Sequence, residues 1–287
     1  MTSITGTNAT IPVAAPDTLI LICALSEHPP PEAEGMFAIE SKEVFAAARR
    51  ASASEYAEIQ FKENLKDVLW TEREVRRHEA AVEAMMRRGT VIPFKFPTLF
   101  TSEENVQAFI DQNRAEIKRQ FQSLYQKTEW GVKIFWNGRV RETSPLLRSE
   151  RLRQLDAEIE TAAAGKAFFL RKKKDELMSG EIRLGIEALM QESLSALHRH
   201  SDAVHLSAVL PQRATGRTDE MIFNAAFLVA ESAAQTFREA LNLLTARLEE
   251  ENMIAVLTGP WPPYHFCGIA SQPAANQSPN QSPVNQS

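Results

Sequence analysis

Cysteine is scarce in this chain of 287 residues, with only Cys23 and Cys267 present. Two thiols cannot make a disulfide framework, and they have no Cys-x-x-Cys spacing, so a reduced, cytoplasmic setting is expected. An excess of basic residues is also missing: 32 Lys and Arg stand against 37 Asp and Glu, for a net charge of −5. A surface built to grip nucleic-acid phosphates needs the opposite balance. No apolar run approaches the ~20 residues that span a bilayer. The first residues, MTSITGTNATIPVAAPDT, lack a basic n-region and carry Pro12 and Pro16, unlike a signal peptide. Signatures of catalysis are missing too. There is no Gly-x-Ser-x-Gly elbow, and neither cysteine has a catalytic motif beside it. Ala162-Ala-Ala-Gly165-Lys166 ends like a phosphate loop but lacks its first glycine and its closing Ser or Thr.

Apolar residues make up 44% of the chain and charged residues 24%, enough for packed cores. At roughly 100–200 residues per domain the length points to two of them. Residues 1–17 are rich in Thr, Ala and Pro and read as a disordered tail. Residues 271–287, SQPAANQSPNQSPVNQS, have no aromatic and no charged side chain. Such a tract cannot bury enough apolar surface to offset the entropy of ordering, so it is expected to stay outside the fold.

Between the tails, strand and helix signals alternate. Residues 18–25 (TLILICAL) form a short apolar run that ends before the prolines at 29–31, as a buried strand does. A second strand is expected at 35–40, a helical stretch at 45–48 (FAAA), and a third strand at 56–61. A helix over 67–88 places Val75, His78, Val82 and Met85 on one face, and Gly89 stops it. Residues 90–96 read as a strand in which Pro93 demands an edge or a bulge. Thr101 and Glu104 have capping-box spacing ahead of a helix lined by Val106, Ile110, Ile117, Phe121 and Leu124. In residues 130–136 Trp130, Val132, Ile134 and Trp136 alternate with Gly131, Lys133 and Phe135, and Asn137-Gly138 supplies a turn. The first domain is therefore expected over 18–142.

The second domain, 143–270, opens with helical sequence from 145 to 163. Gly165 interrupts it, and a long charged helix follows over 166–200, with a short seam hinted by Leu170, Leu177 and Leu184. Strands are expected at 204–210, 220–229 and 253–257. A helix between the last two carries Phe237, Leu241, Leu244 and Leu248 on one face. The resulting fold class is α+β in both domains, the second a ferredoxin-like unit with an inserted long helical hairpin.

Three stretches, in order, carry a family resemblance: residues 70–79 (WTEREVRRHE) with 91–96 (VIPFKF), residues 132–136 (VKIFW) with 165–174 (GKAFFLRKKK), and residues 257–266 (LTGPWPPYHF). The first is similar to a helix bearing His-Glu that leads into a Leu/Ile-Pro-x-x-Phe strand. The last is close to a terminal Thr-Gly-Pro-Trp-Pro-Pro-Tyr-x-Phe. Together they resemble the GvpF/GvpL family of gas vesicle proteins over about residues 18–268. The chain departs from the family at Phe96-Pro97, where Phe-Gly is usual and proline instead fixes φ near −65°. The resemblance implies a non-enzymatic accessory or minor structural protein of gas vesicle assembly. It also implies contact with the small shell protein GvpA and other accessory proteins, with no cofactor, nucleic acid or membrane as partner.

Two readings of the terminal motif follow from its residues. Trp261, Tyr264 and Phe266 either pin the end of the chain onto its own core, the favoured expectation, or form a partner-binding patch. Among the histidines, His198, His200 and His205 invite a zinc reading, but i and i+2 on a helix face different ways. His78 reads as a hydrogen-bonded core histidine. An alternative from another class is a tandem ferredoxin-like enzyme or haem- or small-ligand-binding protein with His78 or His205 as ligand. The run at 171–174 (RKKK) reads as a solvated helix face or, alternatively, a contact for acidic partners.

Overall fold

A computed structural model describes residues 17–33, 35–140, 144 and 149–269. The two expected tails, 1–17 and 271–287, lie outside the described residues except for Asp17, as do residues 145–148 at the start of the expected 145–163 helix. The described residues divide into two compact units, 17–123 with 269, and 124–268.

The first unit is built on strands β1 (Thr18–Ser26), β2 (Met36–Ser41) and β3 (Val44–Ser52). Helices α1 (Ala53–Tyr56), α2 (Glu58–Asn64) and α3 (Val68–Met86) follow, then strands β4 (Val91–Pro93) and β5 (Leu99–Phe100) and helices α4 (Glu103–Gln112) and α5 (Arg114–Leu124). The sheet runs β2-β3-β1-β4, with β5 also on β1. Pro93 sits in β4 at the sheet edge, where its missing N–H breaks no ladder, as expected.

Two expectations fail here. Residues 45–48 are strand, not helix: β3 is a central strand, antiparallel to both β1 and β2. Ala46, Ala47 and Ala48 are fully buried, so the pairing of the whole sheet overrides alanine's helical preference. The turn into β3 uses Lys42 and Glu43 at φ 48° and 69°, the pair of positive φ values that a tight hairpin requires. Residues 56–61 are not a strand but parts of α1 and α2. Tyr56 and Phe61 turn inward there and stack at 5.7 Å between ring centroids.

The α3 helix matches expectation, capped by the Asp67 side chain, which accepts from the N–H groups of Leu69 and Trp70. Its buried stripe is Trp70, Glu74, His78, Val82 and Met85. The cap of α4 is Ser102, one residue after the expected Thr101. The single helix expected there is two, meeting at Asn113.

The second unit begins with β6 (Lys127–Trp136), then α6 (Glu150–Thr161) and α7 (Ala164–His198). After these come β7 (Ala203–Leu206), α8 (Gln212–Thr215), β8 (Glu220–Ala230), α9 (Ala234–Glu250) and β9 (Met253–Trp261). The sheet order is β7-β8-β6-β9, every neighbour antiparallel. Because β6 pairs along its length with β8 and β9, it belongs to this unit, and the division falls before it rather than at 142. The core gathers Trp130, Val132 and Ile134 of β6, Phe223 and Phe227 of β8, and Phe237, Leu241, Leu244 and Leu248 of α9.

The long helix is present, and α6 and α7 pack on each other, with Lys174 paired to Asp156. The Leu170–Leu177–Leu184 seam is not. Leu184 is 60% exposed, whereas Leu189 and Leu197 join the core under α9 and β8. The helix changes partner along its length, so no single seven-residue stripe serves all of it. Both units mix helix and sheet, as the sequence pattern indicates.

Candidate functional site

The terminal motif is the last turn of the β6–β9 ladder. Strand β9 runs further than expected, past Leu257 to Trp261. In register, Thr258 lies opposite Gly131 and Trp261 opposite Glu129. Three motif steps face two on β6, so Gly259 and Pro260 bulge out of the ladder. Gly259 has φ 111°, and a Cβ there would lie 2.7 Å from the Glu129 carbonyl oxygen. Only glycine satisfies both conditions. Across the strands, a Cβ on Gly131 would lie 2.6 Å from the Thr258 hydroxyl oxygen. The bare backbone at 131 therefore makes room for the motif's threonine.

Beyond Trp261 the chain turns back. Tyr264 N–H donates to the Pro262 carbonyl at 2.8 Å and Phe266 N–H to that of Pro263 at 3.1 Å. The turn is held by Glu129, which is 5% exposed. Its carboxylate accepts from the backbone N–H of His265 at 2.9 Å and from its ring Nδ1 at 2.6 Å. The acceptor is a carboxylate, so Nδ1 carries a proton. The ring of His265 stacks on His205 of β7, with centroids 4.8 Å apart. In the sheet, His205 lies opposite Ala226, which lies opposite Gly131, so small residues separate the two edges of this row.

Trp261 is not a core anchor: it is 44% exposed, while Pro262 and Pro263 beside it are buried. The physical reason is position, because β9 is an edge strand with no further strand to cover the indole. Tyr264 and Phe266 are half-buried. Ile254, on the same edge strand, is 47% exposed.

A second constellation occupies the first unit, on the residues of the 70–79 motif. Glu74 is buried and accepts from Arg49 Nη2 at 2.6 Å and from the Tyr56 hydroxyl at 3.2 Å. Arg73 and Arg77 lie 3.3 and 3.6 Å from its other oxygen. Burial pushes the Glu74 carboxyl up, but the Arg49 hydrogen bond and charge outweigh it and hold it below its ordinary value. Burial raises the Tyr56 phenol to about 12. One turn along α3, His78 is buried and its Nε2 lies 2.7 Å from the Phe94 carbonyl. A carbonyl only accepts, so Nε2 carries a proton. Burial lowers its pKa to about 4. His78 is thus the hydrogen-bonded core histidine expected, joined edge-on to Phe96.

The buried carboxylates Glu74 and Glu129 are each engaged by protein donors, and the geometry fixes chain positions rather than presenting a group for proton transfer. His198 ends α7, near Ser201, while His205 turns to His265. Among the described residues no group of three or more His, Cys, Asp or Glu is placed to hold a metal. In the 171–174 run, Arg171, Lys172 and Lys173 are exposed. Glu74, Glu129 and Gly131 are the positions missed from sequence. Gly131 carried a signal, a glycine inside an alternating strand, which marks close backbone approach.

Comparison with known proteins agrees with this architecture. The model of the family "Gas vesicle synthesis protein GvpL/GvpF" matches residues 22–268. The chain is 23% identical over 233 residues to gas vesicle protein L of Streptomyces sp. strain CB03234, covering 80% of this chain and 82% of that one. It is 24% identical over 187 residues to gas vesicle protein F of Nostoc sp. strain PCC 7120, covering 63% and 72%. The crystal structure of gas vesicle protein GvpF from Anabaena sp. PCC7120 superposes with a TM-score of 0.65 at 20% identity, over 88% of this chain and 99% of that one. The matched span includes the helix of Glu74 and His78 and the whole terminal motif, and the chain belongs to the GvpL/GvpF family of gas vesicle synthesis proteins.

Proposed function

We propose that this protein is a non-enzymatic assembly factor of gas vesicles that acts in the cytoplasm by binding the small shell protein GvpA and limiting its aggregation. A shell that keeps water out is made of subunits with a large apolar face, and such a face aggregates before it is incorporated. A partner that covers it needs an accessible apolar surface on a firm support. The observation that carries the reading is the β9 edge. Ile254 and Trp261 are exposed there, on an edge strand paired, among the described residues, only with β6 and followed by a turn clamped by Glu129 and His265. An edge strand offers backbone hydrogen bonds to an added segment, and its exposed side chains offer anchors. Trp261 is the anchor, with half-buried Tyr264 and Phe266 at its flank.

The test is co-expression with GvpA and affinity capture. The wild type is expected to retain GvpA in the soluble fraction. Ile254→Lys, which puts a charge on the edge, is expected to lose it while remaining folded by circular dichroism. Capture of GvpA by Ile254→Lys at the wild-type level would remove β9 as the binding edge.

A further inference from the structure

A cleft of about 440 Å³ opens in the first unit between α3 and the sheet, well away in sequence from the terminal motif. It is lined by Cys23 of β1, Arg49 and Arg50 of β3, and Arg77 and the alanines of α3, among them Ala80 and Ala84. That size lies in the range of small-ligand pockets, which pair apolar lining with a few placed polar groups.

Charge is unbalanced around it. Among the described residues Glu74 is the one carboxylate paired with Arg49, Arg73 and Arg77, so there three guanidinium groups share one carboxylate. Arg50 has its own partner in Glu103. Among the described residues that line the cleft there is no acid. Cys23 adds no negative charge either, because burial lifts its thiol to about 12. The Nε of Arg49 is buried and has no hydrogen-bond partner among the described residues. A buried N–H left unpaired is costly and rare. Arg77, 64% exposed, makes the longest of the three contacts to Glu74, at 3.6 Å. Guanidinium groups are the preferred partners of planar oxyanions. The alanine lining, for its part, leaves space for methylene groups beside them.

We infer that this cleft is an oxyanion site, taking a carboxylate carried on a short apolar stem between Arg49 and Arg77. Such a ligand arrives either as a free small dicarboxylate or as a glutamate side chain of a protein segment. The site stands independently of the vesicle reading, since none of its residues belongs to the β9 edge.

Arginine side-chain N–H resonances of the full chain would report it, titrated with glutarate and, separately, with the capped peptide acetyl-Ala-Glu-Ala-amide. Expected are saturable shifts of the Arg49 and Arg77 signals, with half-saturation near or below ~1 mM, weakened by added sodium chloride. Arg77→Gln should weaken binding at least about tenfold, as a lost charged hydrogen bond does, with an unchanged unfolding midpoint showing that the fold is intact. Ala84→Leu, which enlarges a lining side chain, should do the same. Tighter binding of the peptide than of glutarate would identify a protein segment as the source; equal or tighter glutarate binding would identify a free anion. Arg49 signals unmoved by either probe up to about 10 mM would overturn the site. So would equal binding of acetyl-Ala-Gln-Ala-amide, or wild-type binding by Arg77→Gln.

Discussion

Glu129 holds His265 by two bonds at once, one to its backbone N–H at 2.9 Å and one to its ring at 2.6 Å, across 136 residues of sequence. This pair closes the second unit at its C-terminal end, because among the described residues no strand pairing continues past Trp261. Glu129→Ala removes the acceptor for both donors. Hydrogen bonds to a charged group contribute about 1.5–3 kcal/mol each and are not additive, so a loss of roughly 2–4 kcal/mol is expected in urea unfolding. The amide of His265 should also exchange with solvent far faster than in the wild type. A His265 amide that exchanges at the wild-type rate in Glu129→Ala would mean that the turn is held by something else.

Two glycines should respond in opposite directions to the same change. Gly259 has φ 111° and backbone oxygen 2.7 Å from where a Cβ would sit, so Gly259→Ala has no easy relaxation. A strained backbone of this kind costs on the order of 1–3 kcal/mol before any clash is counted. Gly180 lies inside α7 with nothing within 4 Å of the added carbon. Gly180→Ala should therefore stabilise by about 0.5–1 kcal/mol through helix propensity and reduced freedom of the unfolded chain. Urea midpoints of the two variants should move to opposite sides of the wild type.

His78 gives the first unit a pH dependence with a definite sign. Its folded pKa is about 4, below the ~6.5 of an unfolded histidine. Between these values the unfolded chain binds the extra proton, so the contribution is complete above about pH 6.5 and is lost as pH falls towards 4. A separation of this size corresponds to on the order of 3 kcal/mol. Unfolding midpoints at pH 7 and pH 4.5 should differ less in His78→Gln than in the wild type. An equal pH dependence in both would show that His78 is not the group that titrates.

How much of this was legible in the sequence depends on whether local pattern and tertiary environment agreed. The strand at 18–26 follows from its continuous apolar run, buried on both faces, and the helices over 68–86 and 234–250 follow from apolar periodicity, because each buries one face. The 45–48 stretch misled because three alanines favour helix in isolation and the turn before them, Lys42-Glu43, contains neither Gly nor Asn to announce a hairpin. Residues 56–61 misled because Tyr56 and Phe61 are buried from two separate short helices. In the candidate site, the motif at 257–266 was visible, but its support was not. Glu129 precedes the alternating part of β6 and looks like a solvated charge until His265 is brought beside it. Trp261 was expected in the core because large aromatics usually go there, and an edge strand cannot be recognised before the sheet order is known.

The exposure of Trp261 separates its contribution to stability from its contribution to binding. A fully buried tryptophan cut back to alanine costs about 3–5 kcal/mol. Trp261 keeps 44% of its surface in solvent and ends an edge strand, while Pro262 and Pro263, which follow it, are buried. Counting only the part removed from water, Trp261→Ala should cost about 1–2 kcal/mol. Against a typical total of roughly 5–15 kcal/mol the variant should fold and accumulate normally. If the indole is the anchor for GvpA, the same substitution should reduce capture by tenfold or more, because truncating a central aromatic anchor removes 2 kcal/mol or more of binding. Trp261→Phe should recover part of it by restoring a ring. The measurements are an unfolding midpoint and a capture assay on the same preparations. A large drop in midpoint would return Trp261 to a structural role, and a normal midpoint with normal capture would move the binding surface away from β9.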